Sequence, residues 1–340
     1  MATISVIIKA LNEERHIAGA IESALAAVAP YGGEVILADS GSTDRTVEIA
    51  QHYPIRVVQL ADPNERCCGI GPQLGYQHSR GEFLYLMDGD MVLRPEFVRK
   101  AMALMQAHPE IAGIGGVIEE QELASLEYQL RALREALPTA LQSTDRLNGG
   151  GLYRRAAIVE VGYFSDRNLR SYEEFDLAAR LRARGWRLVR LAEVAVAHHG
   201  HAVNAYRLLW RRVRTGYAFG IGDVLRAALG RPHLRLVLAG LKEIYLWLAM
   251  IGWWLTLAVL VAVDAPFPLK LVLLAAVLAA PVLVMAVRAR SFRRGLYAVT
   301  AWNAYTVGLM AGLLRRRRPP AAPIASRILH DIATPGTRAA

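Results

Sequence analysis

Only two cysteines occur in 340 residues, and they are neighbours, Cys67 and Cys68. Adjacent cysteines build no disulfide framework and lack the spacing of a CxxC redox or zinc pair, so a reducing, cytosolic setting is expected for the folded part. Acidic residues are scarce in the C-terminal part: residues 201–340 hold 4 Asp and Glu against 19 Lys and Arg, whereas residues 1–200 hold 26 against 21. The net charge of +10 therefore arises entirely beyond residue 200. That basic excess flanks long apolar runs, not aromatic-laced polar segments, which points to anionic lipid headgroups and away from nucleic acid. The start of the chain lacks a basic stretch followed by an apolar one, so no secretory signal is read there. GxGxxG is also missing after the first strand-like run, where the turn is Lys9-Ala10-Leu11-Asn12-Glu13-Glu14. This excludes a dinucleotide-binding oxidoreductase.

What is abundant is apolar. Hydrophobic residues make up 54% of the chain and the mean hydropathy is +0.23, values that place part of it in lipid. The first 120 residues alternate short β-rich runs with helical patterns, as in an α/β fold with a mostly parallel central sheet covered by helices. Strand-like runs over Ile4–Ile8, Val35–Ala38 and Phe83–Met87 end at Lys9–Asn12, at Asp39-Ser40 and at Asp88-Gly89-Asp90. In an open α/β sheet ligands bind beyond the carboxyl ends of the strands, so these three polar clusters converge on one edge. Asp88-Gly89-Asp90 presents two carboxylates around a residue that lets the backbone turn sharply, a hard-oxygen site suited to a divalent cation and a diphosphate. Asn148-Gly149-Gly150-Gly151 is a backbone stretch able to approach a bulky ligand, and Ser171-Tyr172-Glu173-Glu174-Phe175-Asp176-Leu177 leads into a helix. The charged segment from Glu119 to Arg146 is helix-prone and would border a cleft.

In this order and rough spacing, from about Ile4 to His201, the clusters resemble family 2 glycosyltransferases with the GT-A fold. Ser5–Glu14 resembles the family's opening strand and asparagine-glutamate turn. Asp39-Ser40-Gly41-Ser42-Thr43-Asp44 is similar to its second signature, with Ser40 where a second aspartate is common. Asp88-Gly89-Asp90 looks like the DxD motif, and Glu173-Glu174-Phe175-Asp176-Leu177 like the acidic motif that supplies the base.

The resemblance implies a role for each cluster. Asp39, with Ser40 beside it, would accept a hydrogen bond from the nucleotide base. Ala10, Leu11, Asn12 and Glu13 would border that pocket, and Arg66 would lie near the base or phosphates. Asp90 would ligate Mg²⁺ or Mn²⁺ on the diphosphate, while Asp88 and Gly89 would hold the ribose or donor sugar, Asp88 also reaching the metal through water. His198 or His199 would contact the metal. Glu174, or Glu173 beside it, would take the proton from the acceptor hydroxyl. Asn148, Gly149, Gly150, Gly151 and Asp176 would line the acceptor side. The QxxRW motif of processive synthases is absent downstream of Glu174, so one sugar is expected per encounter.

The sequence thus divides into a GT-A domain (1–203), amphipathic interfacial helices (204–235), a membrane domain with two or three transmembrane helices (236–315) and a flexible tail (316–340). Ile244–Val263 and Pro266–Val287 are long enough to span, and Leu296–Leu314 is a third, polar-interrupted stretch. The expected activity is inverting, metal-dependent transfer of one sugar from a nucleotide-diphosphate sugar to a lipid-linked saccharide, as in exopolysaccharide or envelope glycan assembly. The site would be at the cytoplasmic face of a bacterial inner membrane. Direct glycosylation of a polyprenyl phosphate is the alternative acceptor chemistry, and a catalytically silent membrane scaffold is the rival of another class.

Overall fold

The computed structural model describes residues 3–121, 141–199 and 205–331. His201, most of the Glu119–Arg146 segment and the tail beyond residue 331 lie outside the described residues. The chain divides into two compact units, residues 1–203 with 317–340, and residues 204–316.

In the first unit, β1 (Ile4–Ala10), β2 (Glu34–Asp39), β3 (Arg56–Leu60) and β4 (Phe83–Asp88) lie parallel in the order β3-β2-β1-β4. Their apolar runs are buried on both faces, which is the reason they read as continuous hydrophobic stretches. Val6, Ile8 and Leu37 face α1 (Ile17–Val28) and α4 (Pro95–Ala107) in one core, whereas Ile7, Ile36 and Ala38 face α3 (Ile70–Gln77) and α6 (Glu173–Ala183) in the other. Successive strand residues point to opposite faces, so one strand serves both cores. The numbering takes α2 as Thr46–Ala50 and α5 as Arg155–Glu160.

Beyond β4 the sheet turns mixed. β8 (Gly151–Arg154) is antiparallel to both β4 and β6 (Ile111–Glu120); β6 is parallel to β9 (Arg187–His198), and β5 (Met91–Leu93) and β7 (Gln142–Ser143) pair antiparallel with β9. At the opposite rim, β10 (Ser326–His330) pairs antiparallel with β3. A loosely ordered tail is the sequence expectation there, and the structure corrects it for residues up to 331. The ordering has a physical cause: Asn168 accepts the Arg318 amide at 2.8 Å and Arg167 donates to the carbonyls of Ala322 and Pro323. Arg317 also meets Asp166, and Arg318 meets Glu65. Arginines that read as membrane-flanking charge are spent on carboxylates of the first unit.

The second unit is helical: α7 (Ala205–Arg214), α8 (Gly220–Ala228), α9 (Leu234–Gly240), α10 (Ile244–Ala262), α11 (Phe267–Arg288) and α12 (Phe292–Leu314). Among the described residues two helices, α10 and α11, are long and apolar enough to cross a membrane. Pro281 in α11 has no N–H for the carbonyl of Val277, and Trp253 Nε1 of α10 donates to that carbonyl at 2.8 Å. α8 is largely buried instead of lying open as an interfacial helix. A Cβ on Gly222 would stand 2.1 Å from the carbonyl oxygen of Leu309, and one on Gly312 would stand 2.3 Å from that of Phe219, so glycines let the α8 segment and α12 come into backbone contact.

Candidate active site

Strands β1 and β4 run side by side with Lys9 opposite Asp88 in register, and this pairing places the site. Lys9 Nζ lies 3.0 Å from Asp88 Oδ1 and 3.5 Å from Glu173 Oε1. Burial opposes its charge, yet Asp88, Glu173 and Glu174 outweigh burial and hold Lys9 well above the usual lysine value. One ammonium therefore joins the strand acids to the acidic first turn of α6, which starts after Tyr172 in the left-handed conformation at φ 65°. Gly89 is required for close approach, since a Cβ there would come 3.0 Å from Glu13 Cγ and 3.2 Å from Ala10 Cβ. Burial, with Asp90 and Asp88 nearby, pushes the Glu13 carboxyl up to about 7.

Glu174 is half-buried, and desolvation raises its carboxyl to about 7 against the opposing pull of Lys9. Its two oxygens accept backbone N–H groups, Oε2 from Gly149 at 3.0 Å and Oε1 from Gly150 at 2.8 Å. A carboxylate with such a value and a fixed orientation suits a general base working near neutral pH. Glu173 is held by Lys9.

On the other side of Asp90 the sheet delivers His198. Met91 pairs with His198 across β5 and β9, and the His199 amide donates to the Asp90 carbonyl at 3.0 Å. His198 Nε2 stands 3.4 Å from Asp90 Oδ2, and Nδ1 stands 2.6 Å from Glu120 Oε2. Burial disfavours an imidazolium, but hydrogen bonds to Asp90 and Glu120 prevail and push His198 up to about 9. Among the described residues no three or more His, Cys, Asp and Glu side chains are arranged to enclose an ion on their own. Asp90 and His198 form a two-donor set. That set fits Mg²⁺ or Mn²⁺, which commonly takes one or two protein ligands and completes its shell from water and substrate phosphates.

A hydrogen-bonded loop is built at the ends of β1 and β2. Asn12 adopts φ 60°, tolerable for asparagine, and its Oδ1 accepts the Thr43 amide at 2.7 Å while Ser42 Oγ accepts the Asn12 amide at 2.9 Å. Asp39 is buried, its carboxylate accepting from the amides of Gly41 and Ser42, the Ser42 hydroxyl and Gln59 Nε2. A nucleobase N–H reaching Asp39 would have to displace one of these, and Gln59 is the only donor of the four from outside the turn. Arg66 Nε and Nη2 each reach a carbonyl, of Ser40 and Gly41, at 2.8 Å. Leu11 is exposed and Ala10 buried beside them.

Three sequence assignments change. Gly149, Gly150 and Gly151 have φ of 69°, 100° and 148°, and a Cβ on Gly150 would come 2.0 Å from the carbonyl oxygen of Leu86. Gly150 packs on β4 and Gly151 on β6, and the amides of Gly149 and Gly150 hold Glu174, so Gly150 and Gly151 are buried instead of lying open to a ligand; Asn148 beside them is exposed. Asp176 is fully buried and bound to Arg180 at 2.8 Å one helical turn away, and does not face a ligand. His199 stacks on His16 with ring centroids 5.0 Å apart, because neighbouring residues at a strand end point oppositely, whereas the ring of His198 stands 3.4 Å from Asp90 Oδ2. The sequence gives no role to Lys9, Gln59 or Glu120, although Lys9 and Glu120 end strands at the same edge as the assigned acids.

Residues 5–162 match the family model described as glycosyl transferase family 2. EpsE of Bacillus subtilis (strain 168), named as a glycosyltransferase, is 28% identical over 203 residues, which are 56% of this chain and 70% of EpsE. The glucosyl-3-phosphoglycerate synthase of Petrotoga mobilis is 32% identical over 124 residues, 32% of this chain and 36% of that protein, so the chain spans about a third of this relative. Among solved structures, the mannosyltransferase PcManGT from Pyrobaculum calidifontis, in complex with GDP-Man and Mn²⁺, shares the fold at 19% identity. It is covered to 86%, covers 92% of this chain and has a TM-score of 0.55. S. aureus TarS 1–349 in complex with UDP-GlcNAc is similar at 17% identity, 91% of each chain and a TM-score of 0.50.

Proposed function

We propose that the chain, whose residues 5–162 match the glycosyl transferase family 2 model on a GT-A fold, is an enzyme of that class that transfers one sugar, with inversion, from a nucleotide-diphosphate sugar to a lipid-linked saccharide at a membrane surface. The observation that carries this reading is the gathering of Asp88, Lys9, Glu173 and Glu174 at one sheet edge, with Asp90 and His198 beside them. Asp90 and His198 would hold Mg²⁺ or Mn²⁺, which would supply charge neutralisation on the leaving diphosphate. Arg66, Asn12 and the Asp39 turn would shape the base pocket. Glu174, oriented by the Gly149 and Gly150 amides, would remove the acceptor proton.

Labelled nucleotide sugars incubated with the protein in membranes and Mn²⁺ should place label in a lipid-extractable saccharide, and Asp90→Ala should stop this without unfolding the protein. Label joined directly to a monophosphate lipid would instead support the polyprenyl phosphate acceptor. Absence of transfer to every lipid fraction, with donor still bound, would refute a lipid acceptor.

Two crossings fit the chain better than three. Residues 204–316 leave and re-enter a single folded unit, because β10 pairs with β3 in the sheet that β1 and β2 build. A sheet cannot stand on both sides of a bilayer, so the number of crossings between them is even; crossings by α10 and α11, the two described helices long and apolar enough, would satisfy this, and α12 would not cross. Reporter fusions after residues 290 and 340 should report the cytoplasm, and one after residue 265 the opposite side; a fusion at 340 reporting the far side would overturn this.

A further inference from the structure

We propose that Glu120 is a positioning residue that fixes the His198 ring so that Nε2 is presented to the cation held with Asp90, an inference that rests on the metal-dependent reading above. Glu120 and His198 are register partners on the parallel strands β6 and β9, and side chains at paired positions of adjacent strands lie on one face. The Glu120 side chain is 1% exposed and its Oε2 is 2.6 Å from His198 Nδ1. The opposite ring nitrogen, Nε2, is the one that stands 3.4 Å from Asp90 Oδ2. Backbone pairing fixes both flanks: the Gln121 amide donates to the His198 carbonyl at 3.0 Å, and Met91 is the β5 partner of His198.

An ion would displace the Nε2 proton of His198, and an imidazole that then donates Nδ1–H to a buried carboxylate has one tautomer and one ring orientation, leaving the Nε2 lone pair for that ion. Glu120 thus acts through His198 without touching the donor. It also explains a carboxylate buried at the end of β6, where an unpaired charge would be costly. Ligand-orienting partners of this kind typically contribute about 10- to 100-fold in metal affinity.

The test is Mn²⁺ binding to the full-length protein, measured by titration calorimetry and by the electron paramagnetic resonance signal of free Mn²⁺, with no donor present. Glu120→Ala should weaken binding by about 10- to 100-fold. Glu120→Gln, whose side-chain carbonyl still accepts from Nδ1–H, should recover most of the loss and guards against misfolding of the alanine variant. In a His198→Ala background, Glu120→Ala should add nothing. Wild-type Mn²⁺ affinity in folded Glu120→Ala, while Asp90→Ala abolishes binding, would overturn the role of Glu120 alone. Unchanged binding in Asp90→Ala would remove the metal site and this inference with it.

Discussion

Glu174→Gln should lower kcat by about 10²- to 10⁴-fold while donor affinity stays within a few-fold of wild type. The amide keeps the size and one acceptor oxygen of the acid but cannot take a proton. One of the two glycine N–H groups would then meet an NH₂, at a cost of about 1–3 kcal/mol, so activity should be compared at a temperature where both proteins are folded. The pH profile is the sharper measurement. Burial raises the Glu174 carboxyl to about 7, and a base works only when deprotonated, so the wild-type rate should climb with pH through about 7 and the residual rate of the variant should not. Stability carries the matching sign. The folded value lies above the unfolded value of about 4.3, so the contribution of Glu174 to stability is complete below the unfolded value and is lost as pH rises through about 7. A variant with wild-type kcat and an unchanged acid limb would transfer the role of base to Glu173.

Lys9→Met should be the second large effect, on stability as well as on rate. It leaves Asp88, Glu173 and Glu174 facing one another without the cation that now joins them. Breaking a buried ion pair from one side costs about 3–5 kcal/mol. With Asp88 35% exposed and Glu173 13% exposed, water takes up part of the stranded charge, and the lower end of that range applies. Losing the ammonium should also lift Glu174 above its present value of about 7, moving the acid limb of the pH profile upward. Lys9→Arg, which keeps the charge, should leave the limb near its wild-type position. Chemical denaturation and rate measurements across pH read both effects, and a Lys9→Met protein with wild-type stability and profile would show that the ammonium is dispensable.

The catalytic edge was legible because β1, β2 and β4 are unbroken apolar runs that end in polar residues, a pattern that periodicity and fold rules read directly. β6 was not, since Gly113, Gly115 and Gly116 make its sequence look like a loop. Its glycines exist because neighbours press on them: a Cβ on Gly116 would come 2.6 Å from Phe97 and 2.7 Å from Ala195. Glu120, carried by that strand, was hidden with it. β10 was equally hidden, being five residues after a Pro- and Ala-rich stretch, with pairing to β3 that depends on a partner more than 250 residues away. Motif position does not reveal the contacts these residues make. Asp176 sits in the acidic motif yet is consumed by Arg180, and the triple glycine reads as an open loop yet is closed onto Glu174.

The return of the chain to β3 sets an order on biogenesis. Ribosomes make β1 to β4 well before β10, so the sheet waits for the intervening helices to be synthesised before its outer rim is covered. A fragment ending near residue 203 would release the nascent domain with β3 as a naked border, the kind of surface that recruits strands from other molecules. Soluble versions intended for biochemistry would therefore do better to splice residues 317–331 back onto the truncated domain than to stop at its last catalytic residue.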